Sequence, residues 1–305
     1  MQILFLFLDG VGLGTDNPEI NPFVRAQMPH LRALLGGHPL IAASAPFEGE
    51  HATLLPLDAS LGVDGLPQSA TGQAVLLTGI NIPKEIGYHY GPKPNPAVAS
   101  YLNGRTLFSR VKQAGKTAAL LNAYPPRYFH GIDSGRRLYS SVPLAVTNAG
   151  FPLFTKDDLY AGRALSADFT AQGWHGFLGL TDAPTFTPEA GGRTTAELAS
   201  QYDFSFFEYW ASDYAGHKQK MDAACELLES FDSVLGGLVD AWDDTRGLIL
   251  ITSDHGNLED LSTRRHTDAK VPGLLIGAPS ARREFVEGLT DLTGIAPAIQ
   301  KLLSV

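Results

Sequence analysis

One cysteine, Cys225, occurs in 305 residues. A single thiol excludes an intramolecular disulfide and any site built from several thiolates, so a metal bound by this chain must take nitrogen and oxygen ligands. Charged residues are sparse at 18%, the net charge is -9 and no basic stripe is present, which argues against a nucleic-acid backbone as the partner. No apolar run has the length of a membrane span. The opening "MQILFLFLDG" lacks a basic leader and stops at Asp9, so no signal peptide or membrane contact is expected, and a cytoplasmic location is. Low-complexity tracts are missing as well. With 44% apolar residues, the chain has the composition of a folded protein, long enough for one large domain carrying an insertion.

What is present is an alternation. Apolar runs of strand length begin at Ile3 ("ILFLFL"), Ala118 ("AALLNAY"), Phe204 ("FSFFEYWAS"), Gly247 ("GLILITS") and Val271 ("VPGLLIG"). They read as buried strands of a parallel sheet. Helical stretches lie between them, above all "QKMDAACELLESFDSVLGGLVDAW", where Met221, Ala224, Leu228, Phe231, Leu235, Leu238 and Trp242 line one face. The expected fold is α/β, a doubly wound, mostly parallel sheet sandwiched by helices. From Pro125 to Tyr202 the rhythm fails. That stretch is rich in Gly, Pro and short polar clusters, shows no clean helix, and scatters Arg127, Arg136 and Arg137 among its residues. It reads as a small cap insertion at 125–202, leaving 1–124 and 203–305 as the core.

In such sheets functional groups collect at the carboxyl ends of strands. Here those ends carry Asp9, then Asp213 and His217 in "SDYAGH", Asp254 and His255 in "SDHGN", and His266 in "RRHTDAKVP". Each has an ordinary reading alone: a turn at Asp9-Gly10, a solvated pair four residues apart, a surface histidine. Together they are three carboxylates and three imidazoles at successive strand ends. That set suits two divalent cations with mixed oxygen and nitrogen ligands, a means of binding a phosphoryl group. Ser69 and Thr71 of "LPQSATGQAVLLTG" stand where a hydroxyl usually caps a helix, and beside cations either one is a candidate nucleophile. The strand followed by "GVGLG" also raises a dinucleotide-binding domain. Its glycine spacing and the prolines of "TDNPEINP" disfavour that.

The motifs "LFLDGVGLG", "QSATGQ", "SDYAGH", "TSDHGN" and "HTDAKVP" resemble, in this order, those of the alkaline phosphatase superfamily. More narrowly they are similar to its metalloenzyme branch, which contains cofactor-independent phosphoglycerate mutase and phosphopentomutase. The resemblance covers the two outer parts of the chain. It implies an alkaline phosphatase-like core with one metal held by Asp213, His217 and His266 and a second by Asp9, Asp254 and His255, either Mn or Zn, with Mn favoured. The motif glycine, Gly72, selects Ser69 as nucleophile and as a metal ligand. A sulfatase is disfavoured because "SATGQ" lacks the proline and arginine that follow a sulfatase nucleophile. Two departures stand out: Gln73 occupies a position that is commonly histidine in the mutases, and the cap is short. The implied activity is a binuclear metal-dependent phosphotransfer through a phosphoserine, with hydrolysis of a small phosphorylated substrate ahead of a mutase reaction. Gln73, Arg127, Arg136 and Arg137 are candidate substrate contacts, and a non-catalytic metal-binding scaffold is the reading of another class.

Overall fold

The computed structural model describes all 305 residues. Nine strands occur in chain order: β1 Gln2–Leu8, β2 Phe47–Glu48, β3 Ala52–Leu57, β4 Ala118–Leu120, β5 Ala123–Tyr124, β6 Phe154–Thr155, β7 Phe204–Tyr209, β8 Gly247–Thr252 and β9 Val271–Gly277. Seven form one sheet in the order β2-β3-β9-β8-β1-β7-β4, and β5 pairs with β6 apart from it. The central strand β1 explains the layering. Ile3, Phe5 and Phe7 enter one core cluster while Leu4, Leu6 and Leu8 enter the other. A strand apolar on both faces must be covered by helices on both. One cover includes Val75, Phe108, Val146 and Ile299, from helices Ser69–Thr78, Leu107–Gln113, Ser141–Asn148 and Ile295–Leu303. The other includes Ala196 and Leu198 from helix Pro188–Ala199, and Leu228 and Leu235 from helix Met221–Ala241. Each fully buried phenylalanine, such as Phe5, contributes roughly 1.5–3 kcal/mol.

The four strands β4, β7, β1 and β8 run parallel, as the apolar runs suggest. β9 corrects that reading, because it pairs antiparallel with both β8 and β3. The reason is the connection. Residues 253–270 contain no helix, and a parallel return within one sheet needs a crossover, usually helical. "AALLNAY" is also interrupted, splitting into β4 and β5.

The stretch 125–202 is more helical than its composition suggests. It contains helices Pro126–Asp133, Ser141–Asn148, Lys156–Tyr160, Gln172–Leu178 and Pro188–Ala199. Two of its prolines, Pro126 and Pro188, start helices rather than breaking them, and the Thr187 side chain caps the second by accepting from the Ala190 amide. A glycine there serves close packing. A Cβ on Gly192 would lie 2.0 Å from the Val234 carbonyl oxygen of the neighbouring long helix. Ser141–Asn148 and Pro188–Ala199 supply the two main clusters, whereas Leu159, Ala164, Ala171, Trp174 and Ala183 form a small cluster of their own with Ala123.

Candidate functional site

The strands that flank β1 directly are β7 and β8, so their carboxyl ends lie side by side. Asp9 follows β1. Asp213 and His217 sit on helix Ala211–Lys218 just after β7, one turn apart, with His217 Nε2 3.3 Å from Asp213 Oδ2. Asp254 and His255 follow β8, and His266 comes from the return loop to β9. The structure therefore brings all six residues together. His255 Nε2 lies 3.4 Å from Asp9 Oδ1 and 3.6 Å from Asp254 Oδ2, and His266 Nε2 lies 3.7 Å from Asp213 Oδ1. The His255 and His266 rings stack at 3.7 Å.

The histidines share one orientation. Nδ1 of His217 faces the Arg264 carbonyl at 2.8 Å, Nδ1 of His266 the Pro67 carbonyl at 2.8 Å, and Nδ1 of His255 the Gly256 carbonyl at 3.3 Å. A carbonyl can only accept, so Nδ1 carries the proton in each ring and the Nε2 lone pair is left for the site. Those lone pairs are aimed at carboxylate oxygens. Two groups result, each with one atom per residue within 4.8 Å of the others: Asp213, His217 and His266, and Asp9, Asp213 and His255. Asp213 is shared between them, where the resemblance divides the ligands three and three.

Electrostatics tests whether a cation fits. Burial, then the charges of Asp254 and Asp213, pushes the Asp9 carboxyl up, and burial with Asp213 raises Asp254. Burial lowers His255 to about 4, so at neutral pH its ring is uncharged and offers no positive partner. Asp9 Oδ1 and Asp254 Oδ2 are buried without a hydrogen-bond partner. Carboxylate and imidazole lone pairs that converge with too few hydrogen-bond donors among them are the donor set of a divalent cation, and mixed oxygen and nitrogen ligands suit one. The residues fit.

Ser69 opens the helix Ser69–Thr78. Neither hydroxyl in this stretch caps that helix. Thr71 Oγ1 donates to Gln68 O and accepts from the Tyr90 amide, so it fastens the loop through Tyr90. Ser69 Oγ instead faces His255 Nε2 at 3.0 Å, donating to it because the other ring nitrogen already holds the proton. The motif glycine has a steric cause. A Cβ on Gly72 would lie 2.8 Å from Asp254 Cβ and 2.9 Å from its carbonyl oxygen, so only glycine lets the helix rest against the Asp254 loop. The centre grades from buried to open: Asp254 and His255 are inaccessible, whereas the His217 side chain is 42% exposed. A cleft of about 320 Å³, lined by Leu66, Gln68, Arg265, His217 and His266, leads to it.

The remaining candidates differ. Gln73 is buried one turn after Ser69, with Oε1 unpartnered. Arg127 and Arg136 are exposed and form no ion pair, whereas Arg137 lies over the Tyr128 ring at 5.0 Å. Several polar residues near the centre were missed by the sequence reading. Glu208 is buried at the end of β7, where Tyr124 Oη donates to its Oε2 at 3.2 Å. Burial, with the Asp254 charge, raises it to about 7 despite that bond. Asn257 donates to Asp213 Oδ1 at 2.6 Å, and Arg265 lines the cleft. Glu208 had a signal, a lone carboxylate in the apolar run "FSFFEYW".

Residues 179–305 match the Metalloenzyme superfamily. That span contains Asp213, His217, Asp254, His255 and His266 and leaves out Asp9 and Ser69. Among curated proteins, the 2,3-bisphosphoglycerate-independent phosphoglycerate mutase of Pseudomonas putida is 31% identical over 126 residues, which is 39% of this chain and 24% of the mutase. The chain thus spans about a quarter of the length of the curated relatives it matches. Solved structures agree over nearly the whole chain at low identity. The PH0037 protein of Pyrococcus horikoshii has a TM-score of 0.58 at 17% identity, covering 99% of this chain and 96% of that one. The alkaline phosphatase of the Antarctic bacterium TAB5 has a TM-score of 0.53 at 13% identity, covering 99% and 97%. The fold is alkaline phosphatase-like. No helix is long and apolar enough to cross a membrane.

Proposed function

The motifs, the fold and the match of residues 179–305 support the metalloenzyme branch of the alkaline phosphatase superfamily as the family of this chain, and on that premise we propose that it is a binuclear metal-dependent phosphate-ester hydrolase working through a phosphoserine at Ser69. The observation that carries the proposal is the 3.0 Å approach of Ser69 Oγ to His255 Nε2, at the point where the carboxylates of Asp9 and Asp254 also converge. Asp213, His217 and His266 hold one divalent cation in this reading. Asp9, Asp254, His255 and Ser69 hold the other, with Mn or Zn the metals and a small phosphorylated compound of the cytoplasm the substrate. Such cations, when bound, favour the serine alkoxide and offset charge on the phosphoryl oxygens.

The chain's own residues do the rest. Ser69 Oγ, its proton released to water, attacks phosphorus in line, the new serine O–P bond forms as the ester P–O bond breaks, and the departing alkoxide takes a proton back from water, so that the protons balance. The serine sits at the amino end of its helix, where the helix dipole favours the phosphoryl anion. Water then attacks the phosphoserine, restoring the hydroxyl and releasing phosphate. It can enter on the His217 side, which is open to solvent. Gln73, with its free buried carbonyl, is a substrate contact, as are Arg127, Arg136 and Arg137. Of the arginines, Arg137 is the one held against a neighbouring side chain, the Tyr128 ring at 5.0 Å. The inserted stretch 125–202 is the small cap in this proposal, and within it Leu159, Ala164, Ala171, Trp174 and Ala183 pack in a cluster of their own with Ala123.

A mutase is the second reading, favoured by the name of the Pseudomonas relative. The two separate by product. Chelator-treated protein reloaded with Mn or Zn is given p-nitrophenyl phosphate, glycerate phosphates and pentose phosphates. Free phosphate marks hydrolysis, and an isomerised phosphate marks transfer. Two bound metals without turnover of any ester would favour the scaffold, and absence of metal binding would defeat the proposal.

A further inference from the structure

Glu259 is 1% exposed, two residues beyond Asn257 in "SDHGNLED". Its Oε2 accepts from the backbone N–H groups of Gly12 and Asn257, both at 2.8 Å, and its Oε1 accepts from the Thr267 hydroxyl. The three partners belong to three separate segments. Gly12 follows Asp9, Asn257 follows His255, and Thr267 follows His266. Further bonds stitch the same segments: the Val11 amide donates to Ser253 Oγ at 2.9 Å, Leu258 N to Gly10 O at 2.9 Å, and Thr267 N to Gly256 O at 3.0 Å. Those three are pairwise links, whereas the Glu259 carboxylate is common to all three segments, one after β1 and two within the return loop from β8 to β9. A buried carboxylate is costly unless its oxygens are bonded, so its retention at this junction asks for a reason.

We infer that Glu259 is a positioning residue, whose carboxylate sets the mutual spacing of the loops bearing Asp9, Asp254, His255 and His266 and thereby the affinity of the centre for divalent cations. The inference rests on reading those loops as metal-bearing, which wild-type protein tests separately. It touches no ligand side chain and acts through the backbone. Removing it leaves two amides and a hydroxyl without their acceptor, and each of the loops is then free to relax by its own path. Asp232 offers a comparison: it is also 1% exposed and accepts two backbone amides, His30 N at 3.0 Å and Leu31 N at 2.7 Å, but belongs to none of these loops.

The test is calorimetric titration of the chelator-treated full chain with Mn(II), paired with thermal melts and the visible spectrum of the Co(II)-loaded protein. Glu259→Ala should bind Mn about 10–100-fold more weakly and change the Co(II) bands. Glu259→Gln, which keeps a carbonyl oxygen for the two amides, should recover most of that affinity. Asp232→Ala should melt earlier and bind Mn as wild type does. The inference fails if Glu259→Ala binds within about 3-fold of wild type, or if Asp232→Ala weakens Mn binding as much, since either result reduces Glu259 to ordinary structural support. Should Glu259→Ala not fold, Thr267→Val removes one bond only and should cost roughly 3–10-fold in affinity. Unchanged affinity and spectrum in that variant overturn the inference too. Wild type that binds no metal defeats both this inference and the reading beneath it.

Discussion

Ser69 Oγ and His255 Nε2 stand 3.0 Å apart although 186 residues separate them in sequence. Ser69 makes no capping bond to its own helix, whereas Thr71, two residues on, is committed to Gln68 and Tyr90. The two hydroxyls should therefore respond differently. Ser69→Ala is expected to lose at least ~10³-fold in turnover of p-nitrophenyl phosphate while still taking up metal. Thr71→Val should keep most activity and lose roughly 1 kcal/mol of stability, because the part-buried Tyr90 amide loses an acceptor. Steady-state assays and thermal melts on the two variants decide which hydroxyl reacts. An active Ser69→Ala protein would defeat the assignment.

Gly72→Ala probes why the serine motif carries a glycine at this spacing. The added methyl must enter a space 2.8 Å from Asp254 Cβ, so the helix or the Asp254 loop has to shift. Overpacking of this kind costs about 1–3 kcal/mol. The melting temperature should fall, and Mn affinity should fall with it, because the displaced residue is a proposed ligand. A variant that melts early with unaltered Mn binding would show that the helix yields and the ligand does not.

Glu208 makes stability depend on pH. Its folded pKa, about 7, lies above the 4.5 of an ordinary glutamate, so across that window the folded chain holds a proton that the unfolded chain has released. Stability must then fall as pH rises from about 4.5 to 7, by roughly 3 kcal/mol at most from this residue. Asp9 and Asp254 act in the same direction, since their carboxyls are also raised. Burial lowers His255, His266 and His89, which act in the opposite direction, so the Glu208 share is read as a difference: in thermal melts of the chelator-treated protein between pH 5 and 8, the stability of Glu208→Gln relative to wild type should rise with pH. Equal slopes would mean that Glu208 is ionised in the folded chain across the whole range.

The sequence disclosed most of this centre for a physical reason. Asp213 and His217 are one helical turn apart, and Asp254 and His255 follow a run of apolar residues, so position and residue type are both legible in one dimension, whereas the choice of Ser69 over Thr71 comes from the family resemblance at Gly72. Glu208 and Glu259 were harder, because their roles consist of partners far along the chain: Tyr124 in one case, Gly12 and Thr267 in the other. The direction of β9 was not legible either. Seven apolar residues look the same read up or down a sheet, and only the helix-free return from β8 reveals the reversal. Helix Pro188–Ala199 was hidden by Gly191 and Gly192, which signal a loop in sequence and serve close packing in space.

Asn257 offers a prediction that separates the two halves of the centre. Its Nδ2 donates to Asp213 Oδ1 at 2.6 Å and to the Asp213 carbonyl at 3.2 Å, so it fixes both the side chain and the backbone of the carboxylate shared by the two groups. No comparable bond from Asn257 reaches Asp9 or Asp254. Asn257→Leu removes the donor without adding charge, and should weaken Mn binding by about 10–100-fold. The loss should fall mainly on the group formed with His217 and His266, because that group is more exposed and Asp213 is its only carboxylate, whereas Asp9 and Asp254 still serve His255. A two-site titration should therefore show one affinity lowered strongly and the other little changed. If both fall together, Asp213 holds the groups as one unit, and the division into two separable sites is wrong.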